Sequence, residues 1–414
     1  MVVETIKVFI VLIINSYEDL DFSCYMEQSA RIAEGETDYT QISSKNGLLV
    51  YPAVNSYINL FIYKFVTAKG VYYQPAQVLG GMAYLVWIFC MVRIAQLAFK
   101  ETPQRANIVL LHWFTFVSLN IAVEQLFNDA FWVMFWLLAI LQFQESRNLL
   151  GVFFFSLGLG VKMSAALYIP AIYLITSRSQ GIIRGTCYLV LIVVSQIVLA
   201  YPFIEEYPSE YISSAFNLNR DFVSRVSFNW NIIADEYSHS NIFKRGLLIL
   251  HLVFLIFFLF SRWLNIKKMI RDLGVWPVRL CDSNSIASPY FVAEVFIIWN
   301  FIGLVWARGI HYQFVSWYLF SLPFLIDHGL LNRFSPSAKD LIFLVVLLDG
   351  WYTLRGNSNH FTPVLAQIIM IVVFAFNIRT AILKQSIIEQ EVLPLGQDSQ
   401  INKIDESNAN FLKK

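Results

Sequence analysis

Charge is scarce in this chain. Only 14% of its 414 residues are Asp, Glu, Lys or Arg, against about 25% in a soluble globular protein. Thirty basic and 29 acidic residues leave a net charge of +1, which gives no argument for a nucleic-acid partner. Cysteine is equally thin. Cys24, Cys90, Cys187 and Cys281 are scattered and two of them lie in apolar runs, so neither a disulfide framework nor a zinc site is indicated. No CxxC, HExxH, P-loop or GxGxxG occurs, which removes the usual signatures of redox, metalloprotease and nucleotide chemistry. No Asn-x-Ser/Thr sequon occurs either, so glycosylation cannot report sidedness. Apolar side chains are what the sequence has in excess: 57% hydrophobic and 16% aromatic, with a mean hydropathy of +0.56. Too few polar groups remain to clothe a water-facing surface, and the reading is an all-α polytopic membrane protein.

Each crossing of a ~30 Å hydrocarbon core takes roughly 20 residues, which bounds the chain at about a dozen helices. Apolar runs fall at 2–14, 72–98, 108–123, 130–143, 149–161, 165–176, 186–203, 246–264, 291–307, 314–330, 340–354 and 363–384. The first lacks a basic n-region and a small-residue cleavage site, so it reads as a short span and not a signal peptide. Several runs are too short for a simple crossing and are expected to be tilted, re-entrant or covered by protein.

Loop charge orders these runs, because cytosolic loops collect Lys and Arg. Lys100 with Arg105, Arg178 with Arg184, the group Arg262, Lys267, Lys268, Arg271 and Arg279, and Arg333 with Lys339 all fall on one side. The acid-rich loops at about 15–71 and 204–245 fall on the other. The pattern survives only if 149–176 is two segments meeting at Lys162, since one continuous helix would put Arg147 and Arg178 on opposite faces. Both termini are then expected to be cytosolic. Residues 1–384 form one multi-span catalytic unit in this reading, and 385–414 a polar cytosolic tail too poor in apolar residues to fold.

Polar residues that look purposeful gather on the non-cytosolic side. Asp19-Leu-Asp21 is either a solvated acidic loop or a general base beside the membrane surface. Asn46 to Ala53, with the amphipathic stretch Tyr57 to Val66, fits an interfacial helix. Glu124-Gln-Leu-Phe-Asn-Asp129 lies between apolar runs, where a carboxylate is costly and so is either functional or a helix cap. Lys162 is a snorkelling lysine or an anion binder. Arg308-Gly-Ile-His-Tyr-Gln-Phe314 offers four hydrogen-bonding side chains in six residues. That exceeds what an interfacial girdle needs and suits a phosphate.

These strings resemble those of the dolichyl-phosphate-mannose-dependent alpha-1,3-mannosyltransferases that extend lipid-linked oligosaccharides in the endoplasmic reticulum. Asp19-Leu-Asp21-Phe22 with Tyr25-Met26, Asp38-Tyr-Thr-Gln41, Gly47-Leu-Leu-Val-Tyr-Pro-Ala53, Leu126-Phe-Asn-Asp129, Val161-Lys-Met163, Phe216-x-Leu-x-Arg220 with Asn229-Trp230, and His311-Tyr-Gln-Phe314 with Trp317-Tyr318 follow the family's order over nearly the whole chain. Leu48, Val54, Gln125, Ala130 and Ser164 depart from its pattern, and the arginine missing at 125 moves any phosphate role there to Arg308, Lys162 or Arg220.

The resemblance implies a GT-C glycosyltransferase of roughly 11–12 helices whose luminal loops form the active site. The donor would be dolichyl-phosphate mannose and the acceptor the five-mannose dolichyl-diphosphate oligosaccharide, with inversion at the transferred sugar. Asp21 would be the base, with Asp19 holding acceptor hydroxyls or orienting it. Arg308, His311, Lys162 and Arg220 form the phosphate group, and Asp129, Asn128, Tyr51, Tyr39, Trp230, Tyr312 and Gln313 the substrate-binding set. A phosphate monoester leaves without protonation, so no divalent metal or other cofactor is expected. Another dolichyl-phosphate-sugar transferase is the nearest rival. A lipid-linked oligosaccharide transporter is more distant, suggested only by Glu294, His112 and His251 inside apolar runs.

Overall fold

The computed structural model describes residues 1–14, 17–100, 116–217, 229–230, 233–264, 287–318, 321, 324–325, 368, 370–375 and 377–379. The described elements are helical apart from one hairpin, in which Ser43–Ser44 pairs antiparallel with Gly47–Leu48. In chain order, α1 is Val2–Ile14, α2 Phe22–Ala33, α3 Ala53–Phe61, α4 Gln74–Ala98, α5 Asp129–Gln144, α6 Asn148–Val161, α7 Ile169–Gln180, α8 Ile182–Ile204, α9 Pro208–Ala215, α10 Asn241–Phe258 and α11 Pro289–Val305. Among the described residues, Gln74–Ala98, Ile182–Ile204 and Asn241–Trp263 are long and apolar enough to cross a membrane, and α5, α6 and α11 are shorter apolar helices.

Most helix boundaries follow local chemistry. Ser240 and Ser288 cap α10 and α11 by accepting the Phe243 and Phe291 amides, each at 3.2 Å. Pro289 fills the first turn of α11, and Pro170 that of α7, where a missing N–H costs nothing. Pro170 also explains why α7 begins later than the apolar run at 165–176 suggests: Met163–Tyr168 is a 3₁₀ turn leading into it. Lys162 is extended (φ −138°, ψ 125°) between α6 and that turn, so the break falls where the loop charges require it. Of the run at 108–123, only the part from 116 lies within the described residues. It forms a short turn, Val117–Leu119, and a π segment, Asn120–Glu124. The run at 340–354, the tail 385–414 and Cys281 lie outside the described residues.

The core sits where α5 packs against α4, α6 and α11. Trp87, Trp132, Trp136, Phe143, Phe155 and Phe296 are fully buried there, each ring removing a large apolar area from lipid or water. Two close approaches fix the segments that carry the polar strings. A Cβ on Gly80 would stand 2.1 Å from the Ala122 carbonyl oxygen, so the π segment lies directly on α4. A Cβ on Gly160 would stand 2.3 Å from Val54 Cγ2, which seats α3 over the end of α6. Helix α1 is tied to α4 by a buried polar trio: the Tyr84 hydroxyl donates to Glu4 Oε2 at 2.5 Å and Lys7 pairs with the same carboxylate at 3.0 Å.

Candidate active site

Where α5 begins and α6 ends, the α5–α6 hairpin brings two chain positions 33 residues apart together. Lys162 Nζ donates to Asp129 Oδ2 at 2.8 Å, and the two side chains are only 7% and 0% exposed. The second oxygen of Asp129 accepts from the Trp317 indole. The Lys162 ammonium also faces the rings of Phe314, Trp317 and Tyr51, at 5.0, 5.3 and 5.9 Å. Asp129 is the first residue of α5 and Lys162 follows the last residue of α6, the ends at which the helix dipoles favour an anion and a cation.

The turn before Asp129 is a bracket. Gln125 Nε2 donates to Glu18 Oε2 at 2.6 Å while the Glu18 amide donates to the Glu124 carbonyl at 3.0 Å. Asn128 Nδ2 donates to Asn55 Oδ1 at 2.9 Å. Leu126, between them, takes the left-handed conformation with φ 51°, which costs free energy and persists only because the surrounding bonds hold it. Thus the segment 124–129 clasps the loop that carries Asp19 and Asp21, the start of α3, the break at Lys162 and the helix Val315–Tyr318.

Within the acidic loop the two aspartates are in different positions. Asp19 Oδ1 accepts the Ser23 amide at 3.1 Å and Oδ2 pairs with Lys45 at 3.3 Å, so its oxygens organise the start of α2. Partial burial by itself would raise the Asp19 pKa, but Ser23 and Lys45 bring it below the ordinary carboxylate value. Asp21 is half-buried at the N-cap of α2 and makes no side-chain cap bond. Its Oδ2 instead faces the Tyr25 hydroxyl at 3.5 Å. Burial pushes the Tyr25 phenol well above its usual value, and Tyr51, Asp21 and Asp129 push it the same way, so Tyr25 remains a donor. Its ring meets Tyr51 edge to face at 5.9 Å. Asp21, Tyr25, Tyr51, Lys162 and Asp129 therefore form one contiguous chain.

A second strand of the site runs from the end of α11. The Ala307 carbonyl accepts from Asn229 Nδ2 at 2.7 Å and from the Trp230 indole at 2.9 Å, and Asn229 Oδ1 accepts the Ile310 amide at 2.8 Å. These bonds clamp the backbone on both sides of Arg308, whose side chain is exposed. His311 is half-buried and meets Phe314 edge to face at 6.0 Å, and Phe314 packs on Trp317 at 4.5 Å. The Arg308 segment thereby reaches the Lys162–Asp129 pair through aromatic rings.

The remaining sequence candidates divide. Tyr51 and Gln313 lie by this cluster, Gln313 buried with its carbonyl accepting the Ser316 hydroxyl. Tyr39 is fully buried in a separate packing cluster, its hydroxyl donating to the Tyr51 carbonyl at 3.1 Å. Trp230 spends its indole N–H on Ala307, and Asn128 its amide on Asn55. Arg220 and the side chain of Tyr312 lie outside the described residues. The candidate site residues do not include Asn55, Gln125, Glu18 or Tyr25. Asn55 bonds Asn128 across 73 residues and Glu18 bonds Gln125 across 107, whereas Tyr25 faces Asp21 four positions earlier, within the same family string. Glu294, one of the groups that favoured a carrier, is a buried partner of Arg262 at the opposite end of α11 from Arg308. Among the described residues no group of three or more His, Cys, Asp or Glu could hold a metal ion.

The family model described as ALG3 protein matches residues 1–353. The Dol-P-Man:Man(5)GlcNAc(2)-PP-Dol alpha-1,3-mannosyltransferase of Neurospora crassa is 33% identical over 327 residues, which covers 75% of this chain and 72% of that protein. The Kluyveromyces lactis protein of the same name is 32% identical over 335 residues, with 75% and 71% covered. The Homo sapiens protein is 29% identical over 343 residues, with 83% and 77% covered. Among solved structures, ArnT from Cupriavidus metallidurans bound to undecaprenyl phosphate aligns with a TM-score of 0.47 at 12% identity, over 93% of this chain and 77% of that one. With a family match over most of its length and relatives above 30% identity, the chain belongs to the ALG3 protein family.

Proposed function

We propose that this chain is a GT-C mannosyltransferase of the endoplasmic-reticulum membrane. It moves mannose from dolichyl-phosphate mannose to the five-mannose dolichyl-diphosphate oligosaccharide, in alpha-1,3 linkage and with inversion. The observation that carries the reading is that the family's strings, spread along the chain, meet at one end of the bundle: Asp21 with Tyr25 and Tyr51, the bracket 124–129, and the clamped Arg308–His311 segment. That end faces the lumen, and both termini the cytosol, as the loop charges require.

The chemistry needs a base for the acceptor hydroxyl and positive charge for the departing phosphate. Asp21 is the base: it is half-buried beside the Tyr25 hydroxyl, in the chain of contacts that runs to Tyr51, whereas Asp19 organises the start of α2 through Ser23 and Lys45. As the hydroxyl oxygen attacks the anomeric carbon, its proton passes to the Asp21 carboxylate, while the bond to the phosphate oxygen breaks on the opposite face. Arg308 and His311 receive the phosphate, whose charge grows as it leaves. Tyr51 and Gln313 line the sugar path. No divalent metal is needed for this step, since the leaving phosphate requires no protonation and the side-chain cations Arg308 and His311 can neutralise its charge.

Labelled mannose transferred to the purified acceptor in detergent, with chelator present, tests the reading. An alpha-1,3 product supports the enzyme, acceptor and metal independence together. No product, even with divalent metal restored, would refute it.

Tyr25→Phe tests the contact with Asp21. Burial, with Tyr51, Asp21 and Asp129 beside it, keeps the Tyr25 phenol protonated, so it faces Asp21 as a donor. Removing the hydroxyl should lower kcat several-fold, about one hydrogen bond's worth, with the KM for dolichyl-phosphate mannose unchanged within about twofold. Unchanged kcat would show that Tyr25 does not act on Asp21.

A further inference from the structure

The sequence reading gives Lys162 to the donor phosphate and Asp129 to substrate. We infer instead, given the transferase reading above, that the two are positioning residues: a closed ion pair that holds the site together and takes no direct part in binding.

Each Asp129 oxygen already has a protein partner, Lys162 for one and Trp317 for the other. Lys162 is buried, its charge is matched at 2.8 Å, and three aromatic rings surround its ammonium group. A phosphate approaching this point meets a neutral pair and not a cation. The pair also sits where it serves geometry, at the adjoining ends of the α5–α6 hairpin, where the helix dipoles favour an anion on α5 and a cation after α6. Through Tyr51 and Tyr25 it reaches Asp21, and through Trp317 and Phe314 it reaches the Arg308–His311 segment. Base and phosphate site are thus set against each other by one buried contact, flanked by the Asn128–Asn55 and Gln125–Glu18 bonds.

A double-mutant cycle in the full-length membrane protein tests this, using Asp129→Asn, Lys162→Met and the double variant. A lone buried charge is costly, whereas a neutral pair of similar volume is tolerated. Each single variant should therefore lose at least about tenfold in kcat, with the KM for dolichyl-phosphate mannose unchanged within about twofold, while the double variant recovers to within about fivefold of wild type. A role in packing alone would not confine the loss to kcat. If Lys162 holds the phosphate, Lys162→Met raises the donor KM and adding Asp129→Asn gives no recovery, which overturns the proposal.

Should the single variants fail to accumulate, the double variant decides alone: folded and active supports the closed pair, folded and inactive refutes it. Thermal unfolding in detergent, with and without dolichyl-phosphate mannose, separates this from the transferase reading. Donor stabilisation that persists in the double variant supports the pair even if wild type transfers nothing to the acceptor tested. Donor stabilisation present in wild type and lost in the double variant overturns it.

Discussion

Asp21→Asn is expected to abolish mannosyl transfer while the protein still inserts and binds dolichyl-phosphate mannose. The amide is nearly isosteric and its oxygen still accepts the Tyr25 hydroxyl, so the α2 N-terminus and the Tyr25–Tyr51 contact survive. What disappears is proton acceptance. A positioned general base contributes roughly 10²–10⁴ in rate, or about 3–5 kcal/mol of barrier at 1.36 kcal/mol per tenfold. Asp19→Asn is the informative control. Its carboxylate serves Ser23 and Lys45 at the protein surface, so the expected loss is several-fold and falls mainly on stability. Single-turnover transfer of labelled mannose, at equal protein and saturating donor, separates the two. Near-normal turnover by Asp21→Asn removes Asp21 as the base, and a larger loss in Asp19→Asn would exchange their roles.

How much of this could be read from the sequence depends on the range of the interaction. Helices α4, α5, α6, α8 and α11 lie within a few residues of their apolar runs, because a span announces itself by local composition. The break at Lys162 was legible for a different reason. One charge inside an apolar stretch, together with the parity of Arg147 and Arg178, leaves two segments as the consistent solution. The starts of α7 and α10 are less legible, since the placement of Pro170 and capping by Ser240 shift a boundary without changing hydropathy.

Pairing was the part that sequence could not supply. In sequence, Asp129 and Lys162 each stand as a lone charge near apolar residues, where charge is costly and a binding role competes with a helix cap for one and a snorkelling lysine for the other. Their 2.8 Å contact cancels that cost and changes what either can do. The same holds for Asn128 with Asn55 and Gln125 with Glu18, where the partners are 73 and 107 residues apart. Gln125 is instructive, because the family pattern has an arginine there. In this chain the Gln125 amide reaches Glu18 at 2.6 Å, so the bracket is tied to the acidic loop without a cation. Trp230 shows the converse. An aromatic beside a polar site reads as lining a sugar site; its indole N–H also donates to the Ala307 carbonyl and so shapes the segment from which Arg308 projects.

That commitment bears on Arg308→Ala. Asn229 and Trp230 hold the backbone at Ala307 and Ile310, so the segment keeps these bonds when the Arg308 side chain is removed. If Asp129 neutralises Lys162, as inferred above, the phosphate role proposed for Arg308 carries correspondingly more of the donor's charge. The phosphodiester carries one negative charge before transfer and the departing monoester gathers more, so the guanidinium gains most in the transition state. Losing it should weaken donor binding about tenfold and lower kcat by roughly a hundredfold, about 3 kcal/mol of barrier by comparison with a lost oxyanion donor. Arg308→Lys keeps the charge but not the two-pronged geometry, and should recover only part of the rate. Donor titration of steady-state transfer measures both effects. Unchanged donor affinity together with unchanged turnover in Arg308→Ala would sink the assignment and move the phosphate to His311.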